Sequence, residues 1–383
     1  MMSALFEPAK IGNIEVKNRF IRSATYFGLA DENGFVGEPS VKLIKTLAQN
    51  EVGLIITGNA YVLKSGQRFP NANLIDTDDH IPGFKKMTQS VHEAEGRVVM
   101  QIGHNGVQSK LAAQSGEDYL AVSMTDKLPD FGRKPREMQE DDIANIIDAF
   151  GQAARRAREA GFDGVQIHGA HGYLVDQFLS PFTNKRTDRW GGSLKNRLRF
   201  VLEVTRAIKK EAGGDFPAMI KLGCKDYFDD GGGLTIEEGA RTAKALEGEG
   251  ICLVEISFGN MDPKLRKIFM GITSPEKEAV FLPEARAIRA VSSVPIALVT
   301  GMRSLPVMEE LIGSGVIDFI SLCRPLIREP DLIKRWKEGD TRPADCISCP
   351  DPSHAAPYGC FNLDENGKIV IFCRQLRRKG NPE

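Results

Sequence analysis

No stretch of the 383-residue sequence approaches the ~20 consecutive apolar residues needed to span a bilayer, and the opening MMSALFEPAKIGNIEVKNRF lacks the basic, apolar and small-residue zones of a signal peptide. A cytoplasmic protein with no membrane partner is the expectation. Charge of either sign is not in excess: 50 Lys and Arg face 51 Asp and Glu, a formal charge of -1, which argues against a broad nucleic-acid or anionic-lipid surface. The basic stretch from Arg374 to Lys379 reads as a solvated face. A Pro/Gly/Ser-rich linker and a low-complexity tract are missing. Also absent are a G-x-G-x-x-G fingerprint and a Walker A loop, so a dedicated nucleotide-binding domain is not expected.

Cysteine is sparse, with seven residues in a long chain, which argues against a disulfide framework. Cys224, Cys252 and Cys323 sit in or beside apolar runs and read as buried thiols. Cys346, Cys349, Cys360 and Cys373 are bunched near the end, opening with the C-x-x-C spacing that zinc and iron-sulfur clusters favour.

What is present is an alternation. Eight β-rich runs, FIRSAT (20–25), LIITG (54–58), VVMQI (98–102), GVQIH (164–168), AMIKL (218–222), CLVEIS (252–257), PIALV (295–299) and DFISL (318–322), are each followed by a segment of helical period. Several of these segments end at Gly, and Thr235-x-x-Glu238 forms a capping-box pattern. Strands apolar enough to be buried on both faces, repeated eight times, predict a (β/α)₈ TIM barrel over 1–340 with a cysteine-containing extension over 341–383; a doubly wound sheet is the runner-up. Gly12-Asn13 marks an N-terminal hairpin that would close the barrel bottom. The insert 103–140, rich in Gly, Ser and Pro, reads as a loop over the mouth.

In such a barrel the reactive groups lie at the C-terminal ends of the strands. Here those ends carry Thr25, Tyr26, Gly58, Asn59, Gln101, His168, Lys221, Ser257, Thr300, Gly301, Cys323 and Arg324, nearly all polar, charged or glycine. The loops after the last two strands, with Gly301 and Arg324, are where barrels commonly bind phosphate; a rim Arg paired with a carboxylate is the alternative. After the fourth strand come His168, His171 and Tyr173, separated by glycines that let the backbone turn. Two imidazole N–H donors could stabilise charge on a substrate oxygen, and a tyrosine of ordinary pKa about 10 stays protonated to donate. A pair of core histidines, or a metal pair, remains open on the spacing alone.

The segment HGAHGYLVDQFLSPFTNKRTDRWGGSLKNRLRFVLEV resembles the signature of the Old Yellow Enzyme family of FMN-dependent ene-reductases. The likeness continues through LFEPAKIGNIEVKNRF, GLIITGNAYV, VVMQIGHNG and SLCRPLIREPDLIKRW, covering roughly residues 4 to 340. The resemblance implies a TIM barrel with FMN at its mouth, NAD(P)H as a transient hydride donor, and an α,β-unsaturated carbonyl compound as the small-molecule substrate. By its motifs, His168 and His171 match the pair that holds the carbonyl oxygen and Tyr173 matches the proton donor. Gln101 matches the residue that bonds the flavin ring, while Ser23, Ala24, Thr25, Tyr26 and Asn59 match the backbone beside it. Gly301, Cys323 and Arg324 match the phosphate segment.

Three positions depart from the pattern: Lys221 stands where many members have Arg, Tyr26 where a smaller residue is common, and Cys323 where Gly is common. Larger relatives, built like dienoyl-CoA reductases, carry a four-cysteine iron-sulfur cluster after the barrel and then further nucleotide domains. For Cys346, Cys349, Cys360 and Cys373 the readings are a [4Fe–4S] cluster, a zinc site or an empty remnant, and a cluster would need an electron-transfer partner in another chain. Two other functions compete: a phosphate-binding lyase or aldolase using Lys221 as a Schiff-base amine, and a metal- or redox-sensing protein working through the cysteine tail. A homo-oligomer is compatible with all of them.

Overall fold

The short apolar runs pair as parallel strands β1 (Phe20–Arg22), β2 (Leu54–Ile56), β3 (Val98–Gly103), β4 (Gly164–Gly169), β5 (Ala218–Gly223), β6 (Val254–Ser257), β7 (Ile296–Leu298) and β8 (Phe319–Leu322). The computed structural model describes residues 3–126, 128–229, 231–349, 360–363, 369–373 and 375–376. Each strand pairs with the next in the chain, and β8 returns to β1 with Ile320 opposite Phe20 and Leu322 opposite Arg22. That last pairing closes the barrel and excludes the open doubly wound sheet. Every residue of the eight strands is buried, because helices cover the outside while side chains fill the inside.

The main outer helices are α1 (Glu38–Gln49), α2 (Ile81–His92), α3 (Glu140–Glu159), α4 (Leu194–Ala212), α5 (Ile236–Gly248), α6 (Leu282–Arg289), α7 (Leu305–Gly313) and α8 (Leu332–Lys337). In α3 the stripe Ile143, Ile146, Phe150, Ala153 and Ala157 is buried, with acids in the first turn and Arg156 and Arg158 in the last, as the helix dipole favours. Gly151 lets α4 approach: a Cβ there would lie 3.0 Å from the Ala207 carbonyl oxygen. At the start of α5 only half of the expected capping box forms. Thr235 accepts from the Glu238 N–H at 3.2 Å, but Arg197 holds the Glu238 carboxylate instead of the helix N-terminus.

The hairpin Ala9–Ile11 and Ile14–Val16 turns at Gly12, where φ is +58°. Its Ile11, Ile14 and Val16 pack against Ile21, Leu54, Val99, Met219 and Phe319, plugging the barrel from below. Polar chemistry is thereby confined to the opposite mouth. The insert after β3 carries a short helix, Lys110–Ser115, and its own apolar cluster of Val107, Ala113, Tyr119 and Ala121; it lines the mouth through Asn105 and Gln108. Among the described residues no helix is long and apolar enough to cross a membrane.

Candidate active site

Beyond β4 the chain reverses through His171, at φ +65°, and Gly172, at φ +70°. The turn is pinned from three sides. The Gly172 N–H donates to Asp176 Oδ2 at 2.7 Å, while the side-chain amides of Gln108 and Gln177 each donate to the Gly172 carbonyl at 2.7 Å. Glycine suits the left-handed backbone at this position, and an added Cβ would also displace the side-chain ends of Gln108, at 2.7 Å, and Asn260, at 2.8 Å. The result is three rings set nearly perpendicular around one cavity: His168 lies 5.1 Å from His171 and 4.8 Å from Tyr173, centroid to centroid, and His171 lies 6.3 Å from Tyr173.

Burial, reinforced by His171 and Lys221, holds His168 well below the ordinary histidine range. Burial, with Lys221 adding to it, pushes His171 down to about 3. Both imidazoles are therefore neutral at pH 7 and each offers one N–H. His171 Nε2 is 2.8 Å from Ser257 Oγ. Burial raises Tyr173 above the ordinary phenol, offset in part by Arg68 and Arg266, so its hydroxyl stays protonated.

Beneath these rings runs a buried polar chain. Gln101 Nε2 donates to Gln166 Oε1 at 2.8 Å and Gln166 Nε2 to Glu255 Oε2 at 2.9 Å. Lys221 Nζ lies 3.0 Å from Glu255 Oε2 and donates to Ser23 Oγ at 2.8 Å, while Ser321 Oγ donates to Glu255 Oε1 at 2.6 Å. Burial alone would raise Glu255, but Lys221 and the hydroxyl donors outweigh it and hold the carboxyl below its usual range. Strand register brings the chain together: Gln101 is level with Gln166, and His168, Lys221 and Glu255 are level across β4, β5 and β6. The sequence reading missed Gln166 and Glu255, although a polar residue in the middle of a buried apolar strand was the available signal.

At the other end, Thr300 and Gly301 leave β7 at φ +80° and +85° and line a pocket of about 360 Å³ with Cys323 and Arg324. A non-glycine residue in the left-handed region stores strain, which clusters at ligand-holding loops. Arg324 Nη2 donates to the Phe269 carbonyl at 2.9 Å. Cys323 lies among polar and charged groups. Burial would raise it, but Arg22, Thr25 Oγ1 at 3.1 Å and Arg324 together hold it below the usual thiol value. Tyr26 packs on Phe69 at 4.9 Å and directs its hydroxyl to the Pro70 carbonyl.

Ser23, Ala24, Thr25, Tyr26, Asn59, Gln101, His168, His171, Tyr173, Lys221, Cys323 and Arg324 line one cleft with about 1580 Å³ of empty space, part of it open to solvent; Thr300, Cys323 and Arg324 connect it to the smaller pocket. Asn59 Oδ1 and His168 Nδ1 are buried without a hydrogen-bond partner among the described residues. Amide groups, a buried ammonium and an Arg-lined pocket at the far end fit the ring, its polar edge and the phosphate of FMN. The cysteines of the extension behave otherwise. Cys346, Cys360 and Cys373 are buried and Cys349 is partly so, yet among the described residues no three His, Cys, Asp or Glu side chains gather as metal ligands. Burial raises Cys346 and pushes Cys360 up to about 12, and of the three readings for the extension neither a [4Fe–4S] cluster nor a zinc site is shown.

Asp176, which pins the turn, is fully buried, and burial together with Asp226 raises it well above the ordinary carboxyl range. The folded state then binds a proton that the unfolded state releases, so stability falls as pH rises from about 4, the unfolded carboxyl value, toward the raised one. Asp176→Asn keeps an acceptor for Gly172. Its melting temperature is expected to gain on the parent's between pH 5 and pH 8; a constant difference would remove protonation as the cause.

A model of the family described as NADH:flavin oxidoreductase / NADH oxidase matches residues 4–342. An NADH oxidase of Thermoanaerobacter brockii is 34% identical over 347 residues, 90% of this chain and 52% of that protein. A cinnamate reductase of Clostridium sporogenes is 31% identical over 390 residues, 96% of this chain and 56% of that protein. The chain thus spans about half the length of these relatives. Among solved structures, a 2-naphthoyl-CoA reductase complexed with 2-naphthoyl-CoA superposes with a TM-score of 0.82 at 30% identity, over 93% of this chain and 56% of that one. An old yellow enzyme homologue from Zymomonas mobilis gives 0.73 at 28% identity, over 90% and 95%.

Proposed function

The chain belongs to the NADH:flavin oxidoreductase / NADH oxidase family, of Old Yellow Enzyme type, and we propose that it reduces the activated C=C bond of α,β-unsaturated carbonyl compounds at the expense of NAD(P)H. The observation that carries this reading is the group of two imidazoles and one tyrosine ring set nearly perpendicular around a single cavity. FMN, when bound, supplies two-electron hydride transfer from NAD(P)H to the alkene. Gln101, Lys221, Asn59 and the backbone of Ser23, Ala24, Thr25 and Tyr26 would hold its ring, and Gly301, Cys323 and Arg324 its phosphate.

His168 and His171 donate to the carbonyl oxygen and stabilise the negative charge that grows there. Tyr173 gives its proton to the α-carbon while the β-carbon receives hydride, and the phenolate recovers a proton from solvent. The balance is C=C plus NAD(P)H plus H⁺ giving CH–CH plus NAD(P)⁺. Relatives named for cinnamate and for 2-naphthoyl-CoA extend the reading toward conjugated aromatic substrates. A Schiff base on Lys221 is disfavoured, because its Nζ is engaged by buried Glu255 at 3.0 Å and by Ser23 Oγ at 2.8 Å.

The test is the visible spectrum of the purified protein, with the chromophore released and weighed. A flavin band, released FMN and alkene-dependent NAD(P)H oxidation are expected. Colourless protein that cannot be reconstituted with FMN would remove the reading.

A further inference from the structure

The cleft has a charge asymmetry that the reaction above does not use. Arg68, Lys221, Arg266 and Arg324 line it, and among the described residues no Asp or Glu does. Lys221 is neutralised by Glu255, and Arg324 belongs to the far pocket with Gly301. The other two guanidiniums line the same cleft as Tyr173, and Arg68 is hydrogen-bonded to Gln108, whose side chain holds the Gly172 carbonyl beside that tyrosine.

Arg68 is half-buried and held by neutral partners. Its Nη1 donates to Gln108 Oε1 at 2.7 Å and to the Gln108 carbonyl at 3.3 Å, and its guanidinium lies 5.2 Å from the Phe69 ring centroid. Arg266 is exposed on the turn Pro263–Phe269 and makes no hydrogen bond or ion pair among the described residues. A guanidinium fixed by amide and aromatic groups, lining the same apolar-walled cleft as a second one, matches carboxylate or phosphate oxygens, which it binds through charge-assisted bonds. Phe69, Phe258 and Phe269 supply the apolar walls.

We propose that Arg68 and Arg266 form a subsite for the anionic oxygens of the ligand bound at Tyr173, so that the enzyme selects anionic over neutral molecules of the same shape. The inference rests on the functional reading above. The shared chemistry has two sources, a carboxylate on the unsaturated substrate or the phosphates of the dinucleotide, and the experiment separates them.

The FMN-loaded protein is titrated, by perturbation of its flavin band, with 4-acetylbenzoate, whose ketone leaves its carboxylate remote, with uncharged 4-acetylbenzamide and with NADP⁺. Arg266→Gln is expected to weaken 4-acetylbenzoate roughly 10-fold, the scale of a lost charge-assisted bond, and the amide less than about 2-fold. Arg68→Lys, which keeps the charge but loses the fork, is expected to weaken it less than Arg68→Gln. A loss confined to NADP⁺ assigns the subsite to the dinucleotide. Equal weakening of acid and amide, or no change in any ligand, overturns the inference. Whether the unsubstituted protein holds FMN and reduces a neutral enone judges the functional reading separately.

Discussion

Tyr173→Phe is expected to slow alkene reduction by about 10²- to 10⁴-fold, the usual contribution of one positioned general acid, while reduction of the bound flavin by NAD(P)H changes only a few-fold. The ring would remain, with its edge-on packing at 4.8 Å from His168, so the loss reports the proton and not the shape. The other tyrosines of the cleft are poorly placed to substitute. Tyr61 accepts from Asn105 at 3.2 Å and Tyr26 is directed at the Pro70 carbonyl. Stopped-flow measurement of the two half-reactions decides: equal slowing of both would show a disturbed site, and an unchanged alkene step would require another acid. Because burial raises Tyr173, the parent is also expected to keep its alkene step as pH rises through 9, where it would otherwise begin to lose the proton.

The second large effect belongs to Lys221. Lys221→Met leaves the fully buried Glu255 without its cation, and breaking such a pair typically costs about 3–5 kcal/mol. Glu255→Gln added to the same chain removes the orphaned charge while retaining an acceptor for Ser321, and is expected to restore much of the loss. The sign with pH follows from the carboxyl. A Glu held below its ordinary value contributes stability above about pH 4, and that contribution is lost as pH falls through the lower folded value. The Lys221→Met deficit should therefore be full at pH 7 and shrink in acid. Urea unfolding of the two variants checks both points; a deficit under about 1 kcal/mol, or one that the second substitution does not relieve, would show that the pair does not support the barrel mouth.

The barrel was legible because its determinants are local. Short apolar runs such as AMIKL and PIALV, alternating with longer segments of helical period, read as buried strands, and the Gly12-Asn13 turn marks the hairpin that plugs the bottom. The polar residues at the strand ends were legible for a related reason, since a strand that trades packing residues for His168, Gln101 or Lys221 does so where it leaves the core. The setting of Cys323 was not legible, because its apolar neighbours in sequence hide Arg22, which is 301 positions away and donates to its carbonyl at 3.0 Å.

Partnerships divide the same way. The sequence by itself determined the number of strands, the face that carries chemistry and the residue types gathered there. Only the tertiary structure decided that Lys221 pairs with Glu255 and Ser23, that Gln108 from the insert braces the His171–Gly172 turn, and that Arg68 and Arg266 line one cleft with Tyr173. Among the described residues it gathers no three cysteines as metal ligands, although their spacing along the chain allowed it. Spacing along a chain fixes geometry only within one element, whereas closing the barrel brings side chains from eight separate strands into register, and which of them meet depends on the direction each strand gives its side chains.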